Sequence, residues 1–178
     1  MKYLRIPKER IGVLIGPNGE TKRTIEATAQ VTLEIDSEEG DVVIDEHNAK
    51  DPLLVLKTED VVKAIGRGFS PEHALRLFQD EIELYIFDIY DYTSKKVTHL
   101  TRLKSRIIGQ EGKTKKVIEG LTASTIAVYG HTIAVIADFE SMDYAKKAIN
   151  MLLSGSEQPT VYRYLEREMR KFRLGRRV

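Results

Sequence analysis

One stretch of sequence occurs twice: Leu14-Ile15-Gly16-Pro17-Asn18-Gly19-Glu20-Thr21-Lys22-Arg23-Thr24-Ile25-Glu26, and again Ile107-Ile108-Gly109-Gln110-Glu111-Gly112-Lys113-Thr114-Lys115-Lys116-Val117-Ile118-Glu119. In each copy an apolar run leads into two glycines separated by two residues, and a cationic helix follows. Such a turn lets a phosphate group approach the backbone at a helix N-terminus, where the helix dipole favours an anion. The repeat therefore predicts two related domains, each with an anion-binding turn.

The repeat extends beyond the glycines at a constant offset of 93 residues. Thr21, Lys22, Ile25 and Glu26 recur as Thr114, Lys115, Ile118 and Glu119. Two β-branched stretches separated by a turn follow in each copy, at residues 32–36 and 42–44 and at residues 125–129 and 135–137. Further strands are predicted before the copies, over residues 2–6 and 84–90. A helix after each hairpin completes the order β-α-α-β-β-α in both domains.

The helices that follow the hairpins differ between the copies. In the first copy, Thr58 is predicted to cap a helix that Gly66 and Gly68 break, and Ser70-Pro71 to start another. In the second copy, a helix is predicted over residues 141–153, with Gly155 ending it. A last helix follows Pro159, and its apolar stripe is formed by Val161, Tyr164 or Leu165, Glu168 or Met169, and Phe172.

The predicted fold class is therefore α+β, with two domains packed as a pair and a C-terminal amphipathic basic helix. The predicted boundaries place the first domain at residues 1–79, the second at residues 80–155 and the basic helix and tail at residues 156–178. The apolar stripe of that helix is predicted to dock on the domains. Its basic side is then open either to a nucleic acid or to an acidic protein.

The composition limits the class of protein. The 178 residues are 42% hydrophobic, which is enough for a real core. The absence of cysteine excludes a disulfide scaffold and a thiolate metal site, and no apolar run approaches the roughly 20 residues of a membrane span. The sequence begins without a charged-then-apolar signal segment. We therefore expect a soluble, cytoplasmic protein that does not act at a membrane.

The net charge of +1 conceals a strong segregation of charge along the chain. Residues 34–51 contain eight acids and one lysine, and residues 80–91 contain five acids and no base. Residues 99–118 contain six bases and one acid, and residues 163–178 contain seven bases and two acids. A phosphate-rich ligand is attracted by the last two segments and repelled by the first two. A solvated surface explains the C-terminal run equally well.

The duplicated motif resembles the signature of KH domains, in which an apolar residue, Ile and Gly-x-x-Gly precede a lysine-containing helix. The order of elements implies the eukaryotic-type KH topology. More narrowly, residues 103–153 and the segment Thr160–Glu166 resemble the paired-KH ribosome-assembly factors, which include the partner-of-Nob proteins and the Krr-type rRNA-processing factors. In eukaryotic members the first glycine pair is degraded, whereas Gly16 and Gly19 are both present here. The resemblance therefore implies an archaeal-type member.

In a KH domain, the glycine turn clamps the phosphate backbone of single-stranded RNA. A Cβ at either glycine would keep that backbone away from the turn, and nearby cations add counterion release. The predicted RNA contacts are Arg106, Gly109, Gln110, Glu111, Gly112, Lys113, Lys115 and Lys116 in the second copy, and Gly16, Pro17, Asn18, Gly19, Lys22 and Arg23 in the first. The candidate wall of the base groove comprises Ile15, Ile35, Ile108 and Val128. For any one of these aliphatic residues, an ordinary core position is the more frequent role.

The sequence gives little support for a nucleotide-binding loop, a metal site or a nuclease site. Gly112-Lys113-Thr114 imitates the end of a nucleotide-binding P-loop, but Ile107 stands where that motif needs its first glycine. The four histidines have no ligand spacing. The acidic pairs Glu38-Glu39 and Asp45-Glu46 lie in the stretch least compatible with a nucleic acid, so a solvated edge is favoured over a nuclease site. No catalytic residue, cofactor or metal is predicted.

The predicted function is single-stranded RNA binding without enzymatic activity, with the second domain dominant because bases flank its turn. The resemblance implies small-subunit rRNA, bound near its 3′ end during ribosome assembly, with an end-processing nuclease, an rRNA dimethyltransferase or the translation-initiation machinery as protein partners. Two alternatives stay open. One is a binder of messenger RNA or other transcripts, and the other is a protein adaptor whose acidic faces recruit an assembly or translation factor.

Overall fold

The computed structural model describes residues 1–176. The chain divides into two compact units, of which the first is Met1–Ile82 and the second begins at Glu83. The predicted boundary lies three residues earlier, between residues 79 and 80. The last two residues of the predicted C-terminal segment, 177 and 178, lie outside the described residues.

The first unit is a three-stranded antiparallel sheet with its helices between and after the strands. The elements are β1 (Lys2–Arg5), α1 (Lys8–Ile15), a 3-10 turn (Pro17–Gly19), α2 (Glu20–Ala29), β2 (Thr32–Ile35), β3 (Asp41–Asp45), α3 (Pro52–Gly66), α4 (Pro71–Leu75) and a second 3-10 turn (Arg76–Phe78). Strand β3 is central, so that Val43 pairs with Tyr3 of β1 and Ile44 pairs with Leu33 of β2. The order β-α-α-β-β-α is confirmed.

Helix α3 begins seven residues earlier than the sequence analysis predicts. Asp51 caps it, with a side-chain oxygen that accepts from the Leu53 N–H at 2.8 Å, and Pro52 is its first residue. Thr58 lies inside the helix, fully buried, and its hydroxyl donates to the Leu54 carbonyl at 2.8 Å. The prediction that Thr58 is the cap is therefore wrong. The predicted restart is confirmed, since the Ser70 side chain caps α4.

The second unit repeats this plan and adds a helix. Its elements are β4 (Ile82–Asp88), a 3-10 turn (Ile89–Asp91), α5 (Val97–Ile108), a 3-10 turn (Gln110–Gly112), α6 (Lys113–Thr122), β5 (Thr125–Tyr129), β6 (Thr132–Asp138), α7 (Phe139–Leu153) and α8 (Gln158–Gly175). Strand β6 is central between β4 and β5. Only Gly130 and His131 connect β5 to β6, the tight hairpin that the sequence predicts. Helix α7 starts two residues before the predicted Ser141, because Asp138 is its cap.

The C-terminal helix α8 belongs to the packing of the second unit. It lies against α6 and α7, and its buried side chains are Val161, Leu165 and Met169. Val161 and Leu165 join one hydrophobic core with residues of α5, α6, α7 and the sheet, including Ile107, Ile118 and Ile149. The predicted apolar stripe and its docking are thus confirmed for this unit. Within residues 1–176, no helix combines the length and the apolar character that crossing a bilayer requires.

Candidate nucleic-acid interface

The two glycine turns have nearly the same backbone conformation. In the first, Gly16, Asn18 and Gly19 have positive φ angles of 74°, 51° and 74°. In the second, the corresponding angles at Gly109, Glu111 and Gly112 are 73°, 54° and 74°. Residues with a side chain rarely adopt this left-handed region, apart from Asn and Asp. The duplicated sequence therefore produces a duplicated turn, and its third position suits Asn18 better than Glu111.

The first glycine of each pair is required by the protein's own packing. A Cβ at Gly109 would lie 2.3 Å from the Thr114 hydroxyl oxygen and 2.7 Å from the Thr114 nitrogen, and Thr114 is 1% exposed. A Cβ at Gly16 would meet the Thr21 hydroxyl oxygen at the same distance. The sequence predicts a different reason for these two glycines, the approach of RNA. Their missing side chain lets the first turn of the next helix close on the loop.

The second glycine of each pair faces more open space. A Cβ at Gly112 would come no nearer than 3.9 Å to the flexible Lys116 side chain, and one at Gly19 would lie 3.2 Å from the end of Arg23. The Gly112 N–H donates to the Gly109 carbonyl at 3.2 Å, which closes the turn. Within the described chain no side chain caps α2 or α6. An anion at the start of either helix therefore meets a favourable dipole without a competing side chain.

The cations of the first turn are largely engaged by the protein itself. Arg23 donates to the Asn18 carbonyl at 2.6 Å, so its guanidinium folds back on the loop. Lys22 lies 3.8 Å from the Glu26 carboxylate, one helical turn along. Lys22 is thus paired with a carboxylate, and the guanidinium of Arg23 keeps its charge but is held against the loop.

The second turn keeps more of its positive charge available. Lys115 pairs with Glu119 at 3.2 Å, as Lys22 does with Glu26. Lys113 and Lys116 are exposed, and neither has a carboxylate partner among residues 1–176. They border a depression of about 530 Å³ together with Gln110, Glu111 and Val117. Four of the predicted contacts of the second domain, Gln110, Glu111, Lys113 and Lys116, thus border one open surface beside the turn.

Arg106 has an internal role that the sequence analysis did not foresee. Its Nε donates to the Leu152 carbonyl at 3.1 Å and its Nη2 donates to the Ser156 carbonyl. Arg10 of the first unit binds the Ile65 and Phe69 carbonyls in the same manner, at 2.8 and 2.7 Å. In both units an arginine thus joins the helix before the glycine turn to the end of the last helix of the KH fold. A cation at a helix C-terminus is also favoured by the dipole.

The four candidate groove residues are half-buried, whereas their neighbours form the core. Ile15 follows the fully buried Leu14 on α1, and Ile108 follows the fully buried Ile107 on α5. On the strands, Ile35 and Val128 are two residues beyond the buried Leu33 and Ile126. Apolar surface is therefore accessible at the C-terminal ends of α1 and α5, which precede the two turns, and along the edge strands β2 and β5. Bases of a single strand require such a surface.

Three residues have structural roles that the sequence did not predict. The Glu26 carboxylate accepts from the Leu33 N–H at 2.8 Å, and Glu119 accepts from the Ile126 N–H at the same distance. Glu26 thereby links α2 to β2, and Glu119 links α6 to β5. Their alignment at the 93-residue offset was the available signal. Tyr162 of α8, whose hydroxyl lies 2.8 Å from that of Thr114, has no counterpart in the first copy and left no such signal.

Among residues 1–176, no three histidine or carboxylate side chains come together in a group that could hold a metal ion. The surface is instead a cationic turn next to accessible aliphatic side chains. That combination suits a polyanion with apolar bases.

Similarity to known proteins covers both units. Residues 83–170 match the family described as eukaryotic type KH-domain (KH-domain type I), and residues 7–80 match the Krr1 KH1 domain. A KH domain-containing protein of Methanocaldococcus jannaschii is 46% identical over 176 residues, which are 99% of this chain and 77% of that protein. The RNA-binding protein PNO1 of Oryzias latipes is 35% identical over 114 residues, or 64% of this chain, and the match spans 47% of its length.

A solved structure is similar along almost the whole chain. It is the a/eIF2alpha-aDim2p-rRNA complex from Pyrococcus horikoshii OT3, with 43% sequence identity, a TM-score of 0.88 and coverage of 96% of this chain and 94% of that chain. Both KH domains are therefore matched in sequence and in fold. The chain belongs to the family of tandem KH-domain RNA-binding proteins that includes PNO1 and Dim2, a family of ribosome-assembly factors and not of enzymes.

Proposed function

We propose that this protein binds single-stranded small-subunit rRNA or its precursor near the 3′ end during ribosome assembly, chiefly through the second domain. The observation that carries the proposal is the second glycine turn, where Lys113 and Lys116 are exposed beside the uncapped start of α6 and have no carboxylate partner within residues 1–176. Each phosphate neutralised by such a lysine releases counterions and strengthens binding.

The RNA path on the second domain follows from the arrangement of its elements. The phosphate backbone lies against the turn at Gly112, the glycine whose missing side chain leaves open space. Bases then reach the half-buried Ile108 and Val128, and the narrow space favours an unpaired strand. In the first domain the same turn is present, but Lys22 and Arg23 are engaged by Glu26 and by the Asn18 carbonyl. That domain plays a supporting part.

The choice of rRNA is supported by the relatives. One similar structure is named as a complex that contains rRNA, and several similar proteins are named as pre-rRNA-processing proteins. An end-processing nuclease and an rRNA dimethyltransferase are the protein partners that this role entails.

Crosslinking of the full chain to total RNA, followed by sequencing, tests the proposal. The variant Gln110→Asp/Glu111→Asp adds negative charge at the phosphate position, and aspartate tolerates the left-handed φ of residue 111. We expect wild-type protein to recover the 3′ region of small-subunit rRNA and this variant to lose it. The matched control Asn18→Asp adds the same single negative charge in the first turn, at a residue with a left-handed φ, and is expected to retain most of the rRNA.

Three results contradict the proposal. Recovery of no rRNA excludes the ribosomal role, and equal recovery by the second-turn variant excludes the turn as the contact. A strong preference for non-ribosomal sequences assigns the chain to the binders of messenger RNA or other transcripts.

A role as protein adaptor is the second candidate, and the acidic hairpin of the first unit favours it. Within that hairpin, the Glu39 and Glu38 N–H groups donate to the Asp36 carboxylate at 3.1 and 2.8 Å, which holds the pKa of Asp36 below its usual value. The neighbouring Glu34 and Glu38 are exposed. A basic protein surface fits such a hairpin. An adaptor would retain its protein partner when the second turn is changed to aspartate, whereas an RNA clamp would lose its ligand.

A further inference from the structure

The C-terminal helix α8 is held in a defined position beside the second glycine turn. The hydroxyl of Tyr162 on α8 lies 2.8 Å from the hydroxyl of Thr114, the residue that closes the turn against Gly109. Val161 and Leu165 are fully buried in the core of the same unit. Helix α8 is thus anchored where the proposed RNA clamp is located, and its exposed side chains keep a constant place relative to the clamp.

A cleft lies at the far end of α6, between that helix and α8. Its volume is about 320 Å³, and it is bounded by Leu121 of α6 and by Glu166, Met169, Arg170, Arg173 and Leu174 of α8. Leu174 is 57% exposed and Leu121 is half-buried, so the cleft has an accessible apolar surface. Two guanidinium groups are at its rim. A planar apolar group with a phosphate attached matches this combination.

The two arginines of the cleft are not used by the protein itself. Across residues 1–176, neither Arg170 nor Arg173 has a carboxylate partner, and both are exposed. On the same helix Arg167 is paired with Glu168 at 3.0 Å, and Arg176, just after the helix, is paired with Glu140, whereas Arg163 is exposed and within residues 1–176 also lacks a carboxylate partner. Arg170 and Arg173 thus bring positive charge to the rim of the cleft. Glu166, at the same rim, offsets part of it.

The spacing connects the cleft with the turn. Tyr162, Glu166, Arg170 and Arg173 follow one another at intervals of four, four and three residues, which keeps them near one side of the helix. With a rise of 1.5 Å per residue, the helix spans about 16 Å between Tyr162 and Arg173. A stacked strand rises about 3.4 Å per nucleotide, so this distance corresponds to about five nucleotides.

We propose that the side of α8 next to α6 is an extension of the RNA site, which binds the nucleotides that continue from the second glycine turn. Arg170 and Arg173 contact phosphates or stack on a base, and Leu121 and Leu174 cover the face of a base. The inference rests on the proposed function of the turn. An acidic peptide would also match the arginines, but continuity with the turn along α6 favours the strand that the turn already holds.

Fluorescence anisotropy with three labelled oligonucleotides from the 3′ end of small-subunit rRNA tests this inference on the full chain. The first is the shortest RNA that wild-type protein binds, and the others carry about five more nucleotides at the 5′ or the 3′ end. We expect one extended RNA to bind about tenfold more tightly than the short one. The variant Arg170→Ala/Arg173→Ala removes that gain and leaves the affinity for the short RNA unchanged.

A matched control separates the cleft from general charge. The variant Arg167→Ala/Lys171→Ala removes the same formal charge from α8 outside the cleft, and we expect it to keep the length-dependent gain. For the extended RNA, the slope of log affinity against log salt should fall by about 1.4 in the cleft variant, at about 0.7 for each phosphate that is no longer neutralised.

Some results would overturn this inference alone, and one would also overturn the proposed function. Equal losses of affinity in the two variants, or no advantage of either extended RNA, overturn the inference while binding of the short RNA still supports the proposed function. Unchanged affinity of the cleft variant for all three RNAs also overturns it and assigns the arginines to a protein partner. If wild-type protein binds none of the RNAs, the proposed function fails and the inference fails with it.

Discussion

At the scale of single residues, the two glycines of the second turn have different reasons to be glycine. Gly109→Ala places a methyl group within 2.7 Å of the Thr114 backbone nitrogen, whereas Gly112→Ala meets only the end of Lys116. The second substitution should cost about 1 to 2 kcal/mol, the usual penalty of a left-handed φ. The first should lower the free energy of unfolding by clearly more, because helix α6 must also move. Urea denaturation of both variants measures the difference, and equal destabilisation would contradict the packing argument.

Glu111 is the residue of the second turn that suits neither its conformation nor an anionic ligand. Its φ of 54° matches that of Asn18 in the first turn, where asparagine is well suited to the left-handed region. Glu111→Asn removes a negative charge beside the phosphate position and is expected to tighten RNA binding about threefold. The variant Glu111→Gln is the control that removes the charge alone. In anisotropy titrations the RNA affinity of Glu111→Asn should equal or exceed that of Glu111→Gln, and wild-type protein should have the lowest affinity. An affinity of Glu111→Asn below that of wild type would contradict this reasoning.

Tyr162 supports the second turn through the contact of its hydroxyl with that of Thr114. Tyr162→Phe removes the hydroxyl that lies 2.8 Å from the Thr114 hydroxyl and leaves a buried polar atom without this partner. We expect a decrease of about 1 kcal/mol in unfolding free energy and a reduced RNA affinity. The salt dependence of binding should stay the same, because every cation that faces a phosphate is still present. Tyr164→Phe on the same helix is the control, and an altered salt slope for Tyr162→Phe would instead make Tyr162 a direct contact.

At the scale of elements, helix α3 shows where reading the sequence fails. Asp51 caps this helix and Thr58 lies buried within it. Asp51→Ala should therefore cost about 1 kcal/mol of unfolding free energy. Thr58→Val keeps the shape and removes only a hydroxyl that donates to the carbonyl one turn back, so its cost should be clearly smaller. Thermal or urea unfolding of both variants measures the two costs. A larger destabilisation by Thr58→Val than by Asp51→Ala would make Thr58 the more important polar group of this helix.

The elements that sequence could predict are those with a local cause. The glycine pairs, the two-residue hairpin at Gly130 and His131, and the Ser70-Pro71 start of α4 are each determined by neighbouring residues, and the structure has all of them. Thr58 was misread because a cap and a buried helical threonine have the same residue type, and only tertiary packing distinguishes them. Arg106 stays a predicted RNA contact, and its internal role could not be predicted because its carbonyl partners, Leu152 and Ser156, are remote in sequence.

At the scale of the whole molecule, the duplicated turn is symmetric in backbone but not in free charge. In the described part of the chain, residues 1–176, Lys113 and Lys116 have no carboxylate partner, while Lys22 and Arg23 are engaged by Glu26 and by a loop carbonyl. If the second domain dominates, Lys113→Ala/Lys116→Ala leaves two phosphates without their cations, whereas Lys22→Ala/Arg23→Ala affects fewer.

The salt dependence of RNA binding by the full chain measures this asymmetry. For a single-stranded ligand, the slope of log affinity against log salt decreases by about 0.7 for each phosphate that the protein ceases to neutralise. The second-turn variant should therefore reduce the slope by about 1.4, and the first-turn variant by less than half of that. Both variants remove two exposed or half-exposed cations, so the two proteins have the same net charge. A difference between their salt slopes therefore reports the position of the cations and not the overall charge. Equal reductions would mean that the two domains share the strand, and a larger effect of Lys22 and Arg23 would make the first domain the principal site.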